Sequence, residues 1–400
     1  MANIQNVTKE IIWVGADDRR LELFENIYPL PNGVSYNSYL ILDGKTALMD
    51  TADASVADVF FENVAKALNG RPLDYVIIQH MEPDHSATLA DLIRQYPNVT
   101  VVCNAKTDEM IHQFFREDLI FAKQIVKEGD TLSLGRHTLQ FIMAPMVHWP
   151  EVMMTYDSIE KILFSADAFG SFGALDGAMF ADEVDFQGDY LTEARRYYAN
   201  IVGKYGMAVQ AVLKKAAGLE IQTICPLHGL VWRRDLKFLL DKYQLWSTYQ
   251  PEEQAVVVAY ASMYGNTGRV ADKVAEKLVD QKCPVRVYDL SKTSRDIVLG
   301  EIFRASHLVL AAATHDGNVF EPMEYLLRDM VAHNIQNRKV ALIENGSWAA
   351  TAAKQMQTLL ESMKDITVVA PILSLKSTIA PSQEADLNAL IQNLIGSNPT

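Results

Sequence analysis

The chain has 400 residues, of which 49% are hydrophobic, and a formal net charge of -14. This length favours two domains over one core, and an acidic balance without a basic stripe argues against nucleic acid binding. No apolar run reaches the roughly 18 residues of a membrane span. The first ten residues, "MANIQNVTKE", lack the pattern of a signal peptide. We therefore expect a cytoplasmic protein.

The cysteines Cys103, Cys225 and Cys283 are odd in number and far apart in the sequence. They form no C-x-x-C pair, which argues for a reducing compartment and against a disulfide framework. The same spacing argues against an iron-sulfur or rubredoxin-type module in this chain. If the chemistry consumes electrons, we expect another molecule to deliver them.

The first part of the chain is predicted to be rich in strands. Strands are predicted at 11–16, 37–42, 46–50, 75–79, 100–104 and 137–145, with a helix at 55–68. Helical structure is predicted at 189–217, a strand at 221–226 and helical structure again at 234–246. The polar segment "STYQPEEQ", Ser247 to Gln254, has no periodicity and is predicted to be a linker. The predicted domains are therefore residues 1–250 and 254–400.

The second part of the chain alternates between apolar strands and amphipathic helices. Strands are predicted at 255–261, 285–290, 307–313, 339–344 and 366–370. Five nearly continuous apolar strands, each separated from the next by a helix, predict a doubly wound parallel sheet.

Potential metal ligands follow several of the predicted strands. The loop "QHMEPDHSATL" contains His80, Glu82, Asp84 and His85, and it lies between a strand and a helix. Downstream, His148, Asp167 and His228 are each the first strong ligand after an apolar strand. Loops at neighbouring strand ends converge on one rim of a sheet. Seven donors exceed the four ligands of a tetrahedral zinc site, so we predict two metals that share Asp167.

Each of these residues also fits a structural role when considered alone. Asp84 is well placed to cap a helix, and a single histidine near a strand end is often only hydrogen-bonded. The coincidence favours the metal site, because four of the nine histidines fall in this pattern at strand ends.

A polar loop follows the first strand of the second half and leads directly into an amphipathic helix. Such a loop offers hydroxyl groups, backbone N–H groups and the positive end of the helix dipole to a phosphate. It lacks both the P-loop and the dinucleotide signatures, so a phosphomonoester such as that of FMN fits better, although an ordinary turn remains an alternative. Two further loops follow strands on the same rim. The candidate flavin-binding residues are Ser262, Met263, Tyr264, Gly265, Asn266 and Thr267 in the first loop, Thr314, His315, Asp316, Gly317 and Asn318 in the second, and Asn345, Gly346, Ser347 and Trp348 in the third. Trp348 is expected to stack on the flavin ring or, alternatively, to pack in the core.

The complete set of motifs resembles the flavodiiron proteins, or A-type flavoproteins. The resemblance rests on H-x-E-x-D-H at 80–85, "APMVHWPEVMMTY", "SADAFGSFG" and "PLHGLVWR", in that order, and it extends over essentially the whole chain. It implies an α/β two-domain fold: a metallo-β-lactamase-like αββα sandwich with a diiron site, followed by a flavodoxin-like doubly wound parallel sheet that binds FMN.

The resemblance also implies a role for each ligand. His80, Glu82 and His148 would hold one iron, Asp84, His85 and His228 the other, and Asp167 would bridge them. Zinc hydrolases of the wider fold usually have a histidine where this chain has Glu82, and a carboxylate there favours iron over zinc.

The implied activity is reduction of dioxygen to water, of nitric oxide to nitrous oxide, or of both. A separate rubredoxin or another reduced donor would supply electrons, and the expected assembly is a head-to-tail homodimer or a dimer of dimers. Two alternatives remain: a zinc hydrolase with an appended flavodoxin domain, and a non-catalytic electron carrier.

Overall fold

The computed structural model describes residues 3–116 and 119–396. The chain forms two compact units. The first contains the described residues up to Tyr197 together with Met207–Tyr243, and the second contains Tyr198–Gly206 and the described residues from Gln244 onward. The predicted domain limits, 1–250 and 254–400, stay a prediction.

The first unit is built on two mixed β-sheets. One has the strand order β1-β2-β7-β8-β9-β10-β11, and the other has the order β12-β13-β14-β15-β16. The strands, in chain order, are β1 (Gln5–Asn6), β2 (Ile11–Trp13), β3 (Ala16–Asp18), β4 (Leu23–Phe24), β5 (Tyr28–Pro29), β6 (Val34–Tyr36), β7 (Tyr39–Leu42), β8 (Thr46–Met49), β9 (Tyr75–Ile77), β10 (Thr100–Cys103), β11 (Ala122–Ile125), β12 (Thr131–Ser133), β13 (Thr138–Met143), β14 (Met153–Asp157), β15 (Ile162–Phe164) and β16 (Thr223–Cys225).

Helices alternate with these strands. They are α1 (Ala57–Leu68), α2 (Pro83–Ser86), α3 (Leu89–Gln95), α4 (Ala105–Phe115), α5 (Leu191–Tyr197), α6 (Gly206–Ala216) and α7 (Leu236–Ser247). Short 3-10 or π segments occur at Ala54–Val56, Ala181–Glu183 and Phe186–Tyr190. Those at Tyr198–Val202 and Gly203–Tyr205 belong to the second unit, as do the first residue of α6 and the last four residues of α7. The core includes Leu48, Met49, Val76 and Ile77, which have no solvent exposure.

The strand predicted at 11–16 is interrupted in the structure. The segment is divided into β2 and β3, which belong to different sheets. Gly15 lies at the break, and a Cβ there would be 2.2 Å from the carbonyl oxygen of Tyr36. Glycine permits this close backbone approach because it has no side chain, and the apolar pattern of the sequence does not reveal it.

The second unit is a doubly wound parallel sheet with the order β18-β17-β19-β21-β22. This order is the flavodoxin-like arrangement, and it agrees with the five strands that the sequence predicts. Two short strands, β20 and β23, pair with β19 and β21. The elements are β17 (Glu253–Ala261), α8 (Asn266–Asp280), β18 (Val285–Asp289), α9 (Arg295–Arg304), β19 (Ala305–His315), β20 (Asn318–Val319), α10 (Glu321–Ala332), β21 (Arg338–Asn345), α11 (Ala352–Glu361), β22 (Ile366–Val368), β23 (Leu373–Leu375), a 3-10 turn (Pro381–Gln383) and α12 (Glu384–Ile395).

Among the described residues, no helix combines the length and the apolar character that crossing a membrane requires.

Candidate metal centre and flavin pocket

The seven predicted metal ligands converge in the first unit. Four of them follow β9, and the other three follow β13, β15 and β16. Each is at most 8% exposed. The ligands form two groups in which the candidate donor atoms lie within 4.8 Å of one another: His80, Glu82, His148 and Asp167 in the first, and Asp84, His85 and His228 in the second.

Asp167 faces both groups. Its Oδ2 atom is 3.1 Å from His148 Nε2 and 3.4 Å from His80 Nε2. Its Oδ1 atom is 3.2 Å from His85 Nε2 and 3.8 Å from His228 Nε2. One carboxylate therefore directs one oxygen toward each group, which is the arrangement that a bridging ligand requires.

The hydrogen bonds at the Nδ1 atoms of the histidines indicate whether the Nε2 atoms can bind cations. Nδ1 of His228 lies 2.7 Å from the carbonyl oxygen of Ser35, and Nδ1 of His80 lies 2.8 Å from Glu151 Oε1. Both partners accept, so both Nδ1 atoms donate, and in a neutral imidazole Nε2 then carries a lone pair. These lone pairs point into the site, and His228 Nε2 is only 2.9 Å from His85 Nε2.

The carboxylate oxygens point the same way. Both side-chain oxygens of Asp84 and Oδ1 of Asp167 are buried and lack a hydrogen-bond partner among the described residues. Buried polar atoms are normally paired, and converging acceptors repel one another unless a cation lies between them. The donor set therefore fits metal ions.

The electrostatics of the site point to the same conclusion. Burial by itself lowers the pKa of His148, but Asp167 and Glu82 outweigh it and raise that pKa to about 9. Burial raises the pKa of Asp167, yet the surrounding histidines hold it well below its usual range. The Asp167 carboxylate is thus ionised and attracts positive charge, whether from protons or from metals.

Several residues that the sequence reasoning missed position the ligands. The Asp50 carboxylate accepts hydrogen bonds from the backbone N–H groups of Gln79, at 2.7 Å, and His80, at 3.2 Å. Asn37 donates to the carbonyl oxygens of Pro226 and Gly229, both at 2.9 Å, and so holds the loop that carries His228. These roles have no local motif, because the partners are far apart in the sequence. Of these positioning residues, only Glu151 could have been noticed in the sequence, because it is an acidic residue three positions after a candidate ligand.

Aromatic side chains surround the metal groups. The ring of Trp149 is 5.3 Å from that of His80, and the ring of Phe24 is 5.5 Å from that of His228. Phe24 lies on the β4–β5 hairpin, which the sequence did not predict.

A third group of potential ligands, Glu10, His137 and Glu160, lies elsewhere in the first unit. Arg136 forms ion pairs with both Glu10 and Glu160. A guanidinium thus already supplies the positive charge there, and we assign this group a structural role.

The three predicted flavin loops of the second unit border a cavity of about 440 Å³. Most of the predicted residues line it: Ser262, Met263, Tyr264, Asn266, Thr267, Thr314, Asp316, Gly317, Asn345, Gly346, Ser347 and Trp348. Ala313, Ala349 and Ser377 also line it and were not predicted. Ser377 comes from a fourth loop, and its Oγ lies 2.7 Å from Ser347 Oγ.

Gly265, His315 and Asn318 do not line the cavity. The ring of His315 packs edge-on against Phe320 at 5.6 Å, and Asn318 Nδ2 donates to the carbonyl oxygen of Asp316 at 3.2 Å. These two residues therefore stabilise the second loop. Trp348 is 93% exposed, so the alternative that it packs in the core is wrong.

The start of α8 tests whether the pocket fits a phosphate. Gly265 precedes the helix with φ +88°, a conformation that L side chains rarely adopt, and no side-chain hydrogen bond caps this end. The N–H groups of the first turn are then available to an anion. Ser262 Oγ accepts from Gly265 N at 3.1 Å, which holds the loop closed. This arrangement fits the phosphate of FMN.

Family models match each part of the chain. The "ODP family beta lactamase" model matches residues 34–229, and the flavodoxin model matches residues 258–383. An anaerobic nitric oxide reductase flavorubredoxin of Aeromonas hydrophila is 32% identical over 389 residues, which cover 95% of this chain and 76% of that protein. An uncharacterised protein of Methanocaldococcus jannaschii is 31% identical over 90% of both chains.

Solved structures agree over nearly the whole length. Rubredoxin oxygen:oxidoreductase from Desulfovibrio gigas matches with a TM-score of 0.91 and 27% identity, covering 98% of both chains. The flavodiiron protein of Giardia intestinalis matches with a TM-score of 0.92 and 25% identity, covering 98% of this chain and 96% of that one. The predicted β-lactamase-like and flavodoxin-like folds are confirmed, and this chain belongs to the flavodiiron protein family.

Proposed function

We propose that this protein reduces dioxygen to water, nitric oxide to nitrous oxide, or both, at a non-haem diiron centre that receives electrons from FMN. The observation that carries the proposal is the position of Asp167, whose two oxygens face the Nε2 atoms of two separate groups of histidines. The names of the relatives support it, since one is called a nitric oxide reductase and another a rubredoxin oxygen:oxidoreductase.

In this proposal, His80, Glu82 and His148 would bind one iron, Asp84, His85 and His228 would bind the other, and Asp167 would contribute to both. Three carboxylates among seven donors form a harder and more anionic set than the imidazole-rich sites of zinc hydrolases, which favours iron. The cavity of the second unit would hold FMN, the start of α8 would bind its phosphate, and Trp348 would be available to stack on its ring.

When bound, the ferrous pair and the reduced flavin supply electrons to a small diatomic substrate. The role of the chain is to hold the ligands and to exclude water. Phe24, Tyr36 and Trp149 place rings within about 6 Å of ligand histidines. Such an apolar wall strengthens electrostatic interactions inside the site and limits side reactions.

We further propose a cytoplasmic location, a rubredoxin or another reduced electron donor, and a head-to-tail homodimer or dimer of dimers. In that assembly, the FMN of one subunit serves the irons of its partner. Because the chain has a large acidic excess, a positively charged donor surface would be attracted to it and an acidic one repelled, so donor binding should depend on ionic strength.

The main test measures the consumption of dioxygen and of nitric oxide, side by side, by protein loaded with iron and FMN and supplied with reduced rubredoxin. We expect consumption of at least one gas and close to two irons per chain. Zinc without iron would instead support a hydrolase. Flavin reduction without consumption of either gas would identify an electron carrier.

Mixing two inactive variants tests the assembly. Asp167→Ala removes the bridge, and Thr267→Asp places a negative charge where the FMN phosphate binds. After subunit exchange, a head-to-tail dimer regains activity, because the FMN of the first variant serves the irons of the second. Electron transfer within one chain would leave the mixture inactive.

A further inference from the structure

The two candidate metal positions differ in the groups that are hydrogen-bonded to the Nδ1 atoms of their histidines. His80 Nδ1 contacts a carboxylate, Glu151 Oε1, at 2.8 Å. His228 Nδ1 contacts a neutral carbonyl oxygen, that of Ser35, at 2.7 Å. His85 Nδ1 has no hydrogen-bond partner among the described residues. Among these three histidines, therefore, only His80 has a carboxylate of a described residue hydrogen-bonded to its Nδ1 atom; Asp50 acts on His85 without such a hydrogen bond.

Glu151 is held rigidly in the correct place for this contact. It is 2% exposed, and its Oε1 also accepts from the backbone N–H of Met81 at 2.9 Å. Its own carbonyl oxygen accepts from Asn104 Nδ2 at 2.6 Å. Asn104 caps α4, with its Oδ1 atom 3.0 Å from the N–H groups of Lys106 and Thr107. Asn104, at the start of α4, thus holds Glu151 in place, and Glu151 in turn holds the ring of His80.

Among the described residues, the Glu151 carboxylate has few hydrogen-bond partners other than His80. Its second oxygen, Oε2, is buried and has no hydrogen-bond partner among the described residues. The side chains of Glu151 and His80 are both fully buried in their ion pair. In a low-dielectric interior the carboxylate therefore acts mainly on the His80 ring, making its Nε2 a stronger donor to a metal.

We propose that Glu151 is a positioning residue that makes the two iron positions inequivalent, so that the iron bound by His80, Glu82 and His148 is held more tightly and is the more electron-rich of the pair. This inference rests on the proposed function, because it concerns the same metal pair. It concerns a residue outside the two groups of candidate ligands.

Two substitutions separate charge from geometry. Glu151→Gln keeps an acceptor for His80 and Met81 but removes the charge, whereas Glu151→Asp keeps the charge on a shorter side chain. Asp157→Asn is the matched control, because His137 Nδ1 and Asp157 Oδ2 form another fully buried pair in the first unit, at 2.7 Å. That pair lies outside the two ligand groups.

The experiment loads each protein with iron-57 and FMN, reduces it anaerobically, and records Mössbauer spectra and iron retention against a chelator. We expect Glu151→Gln to alter the signal of one iron and to weaken its retention about 10- to 100-fold. The other signal and the flavin absorbance should persist, Glu151→Asp should be intermediate, and Asp157→Asn should match wild type in both measurements.

Each other outcome has a definite meaning. Spectra and retention of Glu151→Gln identical to wild type, or equal changes in both irons, would overturn the inference. If Glu151→Gln does not fold, Glu151→Asp decides: selective change at one iron supports the inference, and no change contradicts it. A wild-type protein that binds no iron would instead contradict the proposed function, and this failure is recognisable before any variant is made.

Discussion

The two candidate sites are built in opposite ways. The metal centre uses side chains from loops that are up to about 150 residues apart, between His80 and His228, and every candidate ligand is at most 8% exposed. The flavin pocket uses four loops and includes Tyr264 and Trp348, which are 92% and 93% exposed. The metal centre is therefore a buried site formed by a few converging side chains, whereas the flavin pocket is open to solvent.

This difference predicts how each site responds to mutation. A buried ligand has no substitute, so its loss leaves the remaining charged groups unpaired. In the flavin pocket, backbone N–H groups share the binding with many side chains, so a single change removes only a part of the affinity. We therefore expect large, all-or-none effects in the first unit and graded effects in the second.

The largest effect is expected for Asp167→Ala. The variant removes the carboxylate that faces both ligand groups, so we expect loss of most iron and at least about a 100-fold drop in turnover, by analogy with other essential catalytic groups. The visible flavin spectrum should persist. Iron analysis, gas consumption and absorbance give the three measurements.

Asp91→Ala is the matched control for Asp167→Ala. Its side chain is 63% exposed and pairs with Arg94 on the surface of α3, so iron content and turnover should equal those of wild type. Full activity in Asp167→Ala would contradict the ligand assignment, and loss of flavin together with iron would contradict the separation of the two sites.

The second effect in size is expected for Thr267→Ala. Thr267 is 2% exposed and lines the cavity at the start of α8. A hydrogen bond to a charged group contributes about 1.5–3 kcal/mol, so its loss should weaken FMN binding roughly 10- to 100-fold without changing iron content. Quenching of flavin fluorescence measures the affinity. Thr358→Ala, on the exposed face of α11, serves as control, and equal affinities for the two variants would contradict the phosphate position.

The contrast between the sites also explains how far sequence reasoning reached. The convergence of the seven candidate metal ligands could be predicted because each follows an apolar strand, and strand ends meet at one edge of a sheet. Asp50 and Asn37 could not be predicted, because their function depends on hydrogen bonds to backbone groups 29 and 189 positions away in the chain. No periodicity or local motif encodes such pairs.

In the second unit, the alternation of strands and helices was sufficient to predict the sheet and three of the loops. The fourth loop was missed, because Ser377 comes after β23, a short strand that pairs with β21 beyond the predicted five. The prediction placed Gly265 among the flavin contacts, and its observed role is conformational, with φ +88°. Residue type alone does not separate a contact from a turn.

The third effect in size concerns the stability of the fold. It involves the structural histidine His137, which belongs to neither group of candidate metal ligands. His137 contacts Asp157 at 2.7 Å and Glu10 at 2.9 Å, with Glu160 and Arg136 nearby. The hydrogen bond to Asp157 is the main cause that raises the pKa of His137 to about 8. Because this pKa lies above that of the unfolded chain, the pair stabilises the fold fully below about pH 6.5. This contribution, about 2 kcal/mol, is lost as the pH rises through 8.

Thermal unfolding of the protein between pH 6 and 9 measures this loss. Asp157→Asn should reduce the dependence on pH in that window, because it removes the strongest partner of His137. Parallel curves for wild type and Asp157→Asn would show that another group titrates there.

The smallest effect is expected for Trp348→Ala, and it tests the open character of the flavin pocket most directly. The side chain is 93% exposed, so its removal should change the free energy of unfolding by no more than about 0.5 kcal/mol. Stacking on the flavin ring contributes about 0.5–1.5 kcal/mol, so FMN affinity should fall only a few-fold, and Trp348→Phe should recover most of it. A loss as large as that of Thr267→Ala would mean that the ring rather than the phosphate dominates binding. No loss at all would mean that Trp348 does not touch the flavin.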